Sequence, residues 1–355
     1  MGLASAIVLR SRGFSVMVAD PALPPIDKAC GEGLMPDALA SLARLGVTLR
    51  PEHCFPFRGI RFLGGGNTVD ASFPNGSGVG IRRTHLHQAL IDRAEEAGAT
   101  LLWGTAVKGL SASGVTLDHV KVDCRWVVGA DGENSRVRQW AGLETTRRKS
   151  LRFGFRRHYR IKPWADCVEI YWGSGSQIYV TPIGPQEICV AVISRDSHLR
   201  LDQALPLHPD LSARLQNAAV TTNERGAVSA TRRLARVYRD RVMLVGDASG
   251  SVDAITGEGL RLGFEQGMAL AEALVANDLR AYGMAHRRLA RRPAFMAGLI
   301  LTLDDSAWLR RRVLRALACE PGIFATQLAM HMGTATTRDF IRHSMLPLGR
   351  RLLAA

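Results

Sequence analysis

Three widely separated apolar runs in this chain each stop at an aspartate: 15–19 (SVMVA) at Asp20, 126–130 (WVVGA) at Asp131 and 242–246 (VMLVG) at Asp247. Asp131 and Asp247 stand among glycines, in GADGENSRVR and LVGDASGSVDAITGEGLRLGFEQG. Strand ends of this kind constrain a fold strongly, because the carboxyl ends of parallel strands line the ligand crevice of an α/β sheet. Glycine there lets backbone approach a bulky ligand, and a helix starting just beyond offers N–H groups and a positive dipole end to an anion. A carboxylate at such an end accepts hydrogen bonds from sugar hydroxyls. The ordered set predicts an α/β nucleotide-binding layer.

The first residues agree. Residues 2–12 place Leu3, Ile7 and Val8 on one helical face, Gly13 stops the helix, and the strand ending at Asp20 follows. Helix, glycine, strand and terminal acid form the second half of a dinucleotide-binding βαβ unit, with Gly2 where the third glycine of G-x-G-x-x-G would stand. The preceding strand and first two glycines have no counterpart here. A start roughly 10–15 residues upstream is therefore expected, and the 355-residue form is expected to hold a dinucleotide weakly.

Further along, residues 27–47 read as a glycine-rich loop leading to a helix, and 82–98 as a helix with Leu86, Leu90 and Ala94 on one face. Between 151 and 195 the pattern changes to short strands with Gly/Pro/Ser turns, which predicts an antiparallel sheet. Gly64-Gly65-Gly66 and Gly76-Ser77-Gly78 read as hairpin turns. The predicted fold class is α/β: a three-layer Rossmann-like domain lacking its first strand (1–58, 80–150 and 236–280), an antiparallel substrate domain (59–79 and 151–235), and a helical C-terminal segment (281–355).

Charge and cysteines narrow the function classes. The formal net charge is +14, nearly all from arginine, since lysine occurs only at Lys28, Lys108, Lys121, Lys149 and Lys162. No aromatic platform or recognition motif accompanies that charge, which argues against nucleic acid. Arg287, Arg288, Arg291, Arg292, Arg310, Arg311 and Arg312 surround apolar helices. They form either a solvated face or a surface that rests on anionic lipid, each basic group there being worth about 1 kcal/mol. The six cysteines and ten histidines show no ligand spacing, so no metal is expected. The apolar stretch 294–303 is too short to span a bilayer. A cytoplasmic protein, with membrane contact through the basic helices, is the expectation.

The motifs Gly129-Ala130-Asp131-Gly132 with Ser135 and Arg138, and Gly246-Asp247 followed by Gly257-Glu258-Gly259-Leu260, resemble those of the FAD-dependent oxidoreductase superfamily of aromatic-ring hydroxylases and geranylgeranyl reductases. The resemblance covers roughly residues 2–276 and implies FAD as cofactor with NAD(P)H as electron donor. By motif, Asp20 would hold the adenosine ribose, Val107 would present backbone to adenine, and Asp247 with Gly246 would meet the hydroxyls beside the pyrophosphate. Gly257, Gly259 and Leu260 would lie against pyrophosphate and isoalloxazine; Arg83, in R-x-x-L-x-x-x-L, would stand near the cofactor. Asp131 would serve both FAD and the nicotinamide donor; loop capping is its plainer role.

The superfamily holds two chemistries. Hydroxylases form a flavin C4a-hydroperoxide, while prenyl reductases pass hydride to a carbon–carbon double bond. Cys30-Gly31-Glu32-Gly33 and Thr256-Gly257-Glu258-Gly259 resemble the reductase loops. The reductase substrate motif Y-x-W-x-F-P, however, aligns with Gln177, Tyr179, Thr181 and Pro182, where only the proline and one aromatic survive. That departure favours a monooxygenase acting on an apolar or aromatic small molecule, with prenyl reduction as the alternative and a non-catalytic flavoprotein relic as a third reading. Cys30 and Tyr179 are the catalytic candidates. Cys30 faces the cofactor or packs as a small hydrophobe, and Tyr171, Trp172 and Tyr179 line a pocket or form core.

Overall fold

The computed structural model describes residues 1–118, 120–144 and 148–354. It has an α/β layer, a large mixed sheet that is mostly antiparallel, and a set of C-terminal helices. In the α/β layer, Met17–Asp20 pairs in parallel with Thr100–Trp103, and Val127–Gly129 pairs in parallel with Val242–Leu244. Among the described residues these are two separate sheets. Helix Gly2–Ser11 runs beside both: a Cβ on Gly2 would stand 3.7 Å from Ala130 Cβ and 3.7 Å from Val18 Cγ1. Its buried face packs on helices Arg83–Glu96 and Gly259–Val275, with Ile7, Leu86, Leu90 and Phe264 almost fully shielded. Apolar burial at that helical spacing stabilises by about 25 cal/mol per Å².

The large sheet has nine strands, and its central run is Arg225–Arg233, Arg148–Arg160, Glu187–Ser194, Ser176–Gly184, Cys167–Trp172 and Gly59–Gly64. Both faces are covered. On one, Phe155, Tyr171, Ile178, Val190 and Val192 pack under helices Leu201–Ala204 and Pro209–Leu215. On the other, Val168, Ile170 and Trp172 meet Val313, Leu314, Leu317, Phe324 and Leu328 of helices Ala307–Cys319 and Pro321–Met332. Tyr171 is thus core, whereas Trp172 and Tyr179 look into a cavity on the second face.

The Gly64-Gly65-Gly66 hairpin joins Gly59–Gly64 to Asn67–Ser72 as expected. Gly76-Ser77-Gly78 does not form one. The chain leaves the large sheet there, and Gly78–Gly80 pairs instead with Phe55–Phe57 and Gly33–Leu34. That small sheet lies so close to the large one that a Cβ on Gly80 would sit 1.8 Å from the Pro182 carbonyl oxygen, so Gly80 serves close packing rather than a turn.

The apolar stretch 294–303 belongs to the 27-residue helix Leu279–Asp305, where Met296, Leu299, Ile300 and Leu303 form a wall of the cavity. No helix among the described residues is long and apolar enough to cross a membrane. Several arginines are internal rather than superficial: Arg138, Arg152 and Arg156 are each 1% exposed, and Arg310 is also buried.

Candidate functional site

The cavity encloses about 660 Å³ between the second face of the large sheet, the C-terminal helices and three loops of the α/β layer. Its polar end is built by those loops. After Leu244 the chain turns through Gly246, at φ 60°, into residues 246–249, where Gly246 N–H donates to Gln266 Oε1 at 2.7 Å. Ser249 Oγ donates to the Gly246 carbonyl at 2.7 Å, and His286 Nε2 lies 2.8 Å from the same hydroxyl. Burial and Arg287 push His286 down to about 4, so its ring is neutral at physiological pH and its Nε2 can accept from the Gln266 amide Nε2 at 3.1 Å. Gly257, at φ 69°, then turns the chain into helix Gly259–Val275. Nothing lies within 4 Å of a Cβ placed on Gly257 or Gly259, so these positions form an open cradle at a helix N-terminus.

Charged groups converge on the cradle. Arg83 Nη1 is buried without a partner, and Lys28 lies on the same cavity wall. Burial, with Arg83 and Lys28 adding to it, pushes the Met1 α-amino group down to about 5. Asp247 is open to the cavity, yet it lies deep in the protein; that burial raises its carboxyl above the ordinary 3.8, with the Met1 amine and Lys28 pulling the other way. A guanidinium lacking a partner, a second cation and a helix N-terminus suit the anionic parts of FAD, and the Asp247 carboxylate suits its hydroxyls. The residues present therefore fit the cofactor.

Of the residues singled out from sequence, Arg83, Gly246, Asp247, Gly257, Gly259, Leu260, Cys30 and Tyr179 line this cavity. Gly2, Asp20, Val107 and Asp131 are not part of its described wall. Asp20 Oδ1 accepts from Ala22 N–H at 2.9 Å at its strand end, and Val107 opens a strand paired with Leu117. Asp131 takes the plainer of its two expected roles in this structure, helix capping. Its carboxylate accepts from Ser135 Oγ and from the N–H groups of Arg136 (2.8 Å) and Val137 (3.1 Å), so it caps helix Arg136–Trp140. Arg138 then ties this loop to the cradle, donating to the Ala248 and Glu133 carbonyls at 3.0 and 2.7 Å.

Burial raises the Cys30 thiol, with Arg83 opposing, and raises the Tyr179 hydroxyl well above its usual range. Both are protonated at neutral pH. Cys30 is thus a thiol on the cavity wall rather than a thiolate nucleophile.

Two clusters escaped the sequence reading. Glu32, His158 and Cys189 bring one ligand atom each within 4.8 Å of one another. His158 Nε2 lies 2.6 Å from Glu32 Oε2, and the guanidiniums of Arg82 and Arg156 both bond His158 Nδ1. Those guanidiniums supply the positive charge that a cation would bring, and Glu32 also caps helix Arg83–Glu96 through Arg83 N–H at 2.8 Å. The second cluster is Arg152 with Asp253 and Asp304, at 2.9 Å to each. Alternation along LRFGFRRHYR would have shown that Arg152, Gly154, Arg156 and His158 share a face, but not that this face is internal.

Residues 1–281 match the family described as FAD binding domain. Menaquinone reductase from Mycobacterium tuberculosis is 30% identical over 308 residues, covering 78% of this chain and 75% of that protein. Digeranylgeranylglycerophospholipid reductase from Methanocella arvoryzae is 27% identical over 235 residues, covering 61% of this chain and 59% of that one. Among solved structures, a flavoprotein/dehydrogenase from Cytophaga hutchinsonii superposes with a TM-score of 0.82 at 15% identity, covering 99% of this chain and 96% of that chain. At that identity the likeness concerns the fold alone.

Proposed function

The chain belongs to the FAD-binding domain family and is an FAD-dependent oxidoreductase; on that premise we propose that it reduces an apolar, isoprenoid-bearing molecule, with NAD(P)H as the electron donor. The observation that carries this reading is the cavity, whose apolar walls come from the large sheet and the C-terminal helices and whose polar end is the FAD cradle. Both sequence relatives named above are reductases, which moves the preference from oxygen insertion to reduction.

In this reading Arg83, Lys28 and the N-terminus of helix Gly259–Val275 hold the anionic parts of FAD, and Asp247 its hydroxyls. Bound FAD supplies hydride transfer. The chain's own residues exclude water, through Leu299, Ile300, Leu303 and Leu328, and keep protons at hand on the Cys30 thiol and the Tyr179 hydroxyl. Anaerobic turnover of FAD-loaded protein with NADPH and a prenylated quinone tests the proposal. A product heavier by two hydrogens supports it. A product formed only in air and carrying one added oxygen establishes the monooxygenase reading, which the loss of aromatics at Gln177 and Thr181 favours.

We also propose that the protein docks on anionic membranes. Phe295, Ile341, Met345, Leu346 and Leu353 are exposed beside the exposed Arg291, Arg342 and Arg350. Met345, with Leu348 and Leu352 of the same segment, also lines the cavity, which gives an apolar substrate a route from the bilayer. Co-sedimentation with vesicles containing phosphatidylglycerol, lost on Leu346→Glu and in high salt, is the expected result. Equal binding to phosphatidylcholine vesicles would count against it.

A further inference from the structure

One polar spot on the cavity wall stands apart from the cofactor cradle. Arg152 and Gln177 both line the cavity and are 1% and 2% exposed. Arg152 Nε donates to Asp253 at 3.0 Å and Nη2 donates to Asp304 at 2.9 Å, while Nη1 is buried with no partner. Asp304 Oδ1 is likewise buried with no partner. Gln177 Oε1 accepts from the Tyr179 hydroxyl at 2.7 Å, and its Nε2 has no partner. The Tyr179 oxygen is also 3.0 Å from the Ile255 carbonyl. With its single proton on that carbonyl, Tyr179 accepts from a turned Gln177 amide. Either way, one polar atom of the Gln177 amide remains open.

Register places these groups together. Gln177 stands opposite Ile193, which stands opposite Gly154 on the Arg152 strand. A Cβ on Gly154 would meet nothing nearer than 3.8 Å, so the space beside Arg152 is open. Buried polar atoms in native proteins are nearly always satisfied, yet Arg152 Nη1 and Gln177 Nε2 on this cavity wall are not, and neither is Oδ1 of the Asp304 carboxylate that Arg152 bonds.

We infer that Arg152 and Gln177, with Asp304 holding the guanidinium, form a subsite for a neutral oxygen-bearing head group, a carbonyl or hydroxyl, on an otherwise apolar substrate. The inference rests on reading the cavity as the substrate site. Charge decides the class of head group. The Arg152 guanidinium faces two carboxylates, Asp253 and Asp304, and the nearby Arg195 is half-exposed and bonded to Asp305 at 2.5 Å. No surplus positive charge is left for a phosphate or carboxylate. The Arg152 donor beside an amide that turns to donate or accept suits a neutral oxygen in either of its states, carbonyl or hydroxyl.

The test is ligand titration of the FAD-loaded full chain, followed by the flavin absorbance, with three probes. These are a prenylated naphthoquinone, squalene as a hydrocarbon without a head group, and geranylgeranyl diphosphate with an anionic one. The quinone is expected to bind about tenfold more tightly than squalene, and Gln177→Leu to remove most of that advantage while leaving squalene unchanged. Asp304→Asn frees positive charge on Arg152 and is expected to raise the affinity for the diphosphate, a gain that a purely structural role would not produce. Tighter binding of the diphosphate by the parent protein, or equal loss of quinone and squalene on Gln177→Leu, overturns the subsite and leaves the substrate reading standing. Failure of all three probes to bind overturns the substrate reading, and the subsite with it.

Discussion

Replacing Arg152 by alanine is expected to lower the unfolding free energy by about 3–5 kcal/mol, the usual cost of breaking a buried ion pair by removing one member. Asp253 and Asp304 are 2% and 9% exposed, so the variant leaves two buried carboxylates without the guanidinium that neutralises them. Desolvation, more than lost attraction, sets the size of the effect. The damage extends beyond the site, because Asp304 lies in the last turn of helix Leu279–Asp305 and Arg152 ties that helix to the large sheet. Guanidinium unfolding of the alanine variant and of the double variant Arg152→Ala/Asp304→Asn measures this. The double variant is expected to recover part of the loss, since one of the stranded charges is gone. A change of less than about 0.5 kcal/mol in the single variant would mean that water solvates the two carboxylates in solution and that the cluster contributes no net stability.

Arg152 also marks where sequence reading stops. Alternation in LRFGFRRHYR separates Phe153, Phe155 and Tyr159 from Arg152, Arg156 and His158, and by polarity alone the second set belongs in solvent. It is internal because the sheet is covered on both faces, a fact set by helices more than 100 residues downstream. The acids that neutralise it, Asp27, Asp253 and Asp304, come from three distant segments, and no local pattern links them. The cradle, by contrast, was legible. Its glycines, Asp247 and the start of helix Gly259–Val275 are contiguous, and their conformations follow from local sterics.

Asp131 shows the limit of a motif. A carboxylate at a strand end followed by a serine and a short helix satisfies two roles equally well on paper, ligand contact and helix capping. The choice depends on where the helix N–H groups point. Here Arg136 and Val137 N–H reach back to Asp131, so its carboxylate caps the helix. Asp247 differs because its carboxylate holds no hydrogen bond among the described residues; the turn is closed by Ser249 and Gln266 instead, and the carboxylate stays open to the cavity.

That difference makes Asp247→Ala the sharpest test of the cradle. Loss of a charge-assisted pair of hydrogen bonds is expected to weaken FAD ten- to a hundredfold, about 1.5–3 kcal/mol. The pH dependence carries the sign. Burial raises the Asp247 carboxyl above 3.8 in the protein without FAD. An acid raised on folding adds stability below its unfolded value and loses that contribution as pH rises through its folded value. FAD binding follows the opposite slope, because sugar-like hydroxyls donate to the carboxylate and gain little from the neutral acid. Over the interval above 3.8, the thermal midpoint of FAD-free protein should therefore fall with rising pH while FAD affinity rises. Fluorescence titration and thermal scans of parent and variant across that interval read both slopes. Asp247→Ala should flatten each. A variant that binds FAD as tightly as the parent would remove Asp247 from the cradle and leave Arg83, Lys28 and the helix N-terminus to hold the cofactor.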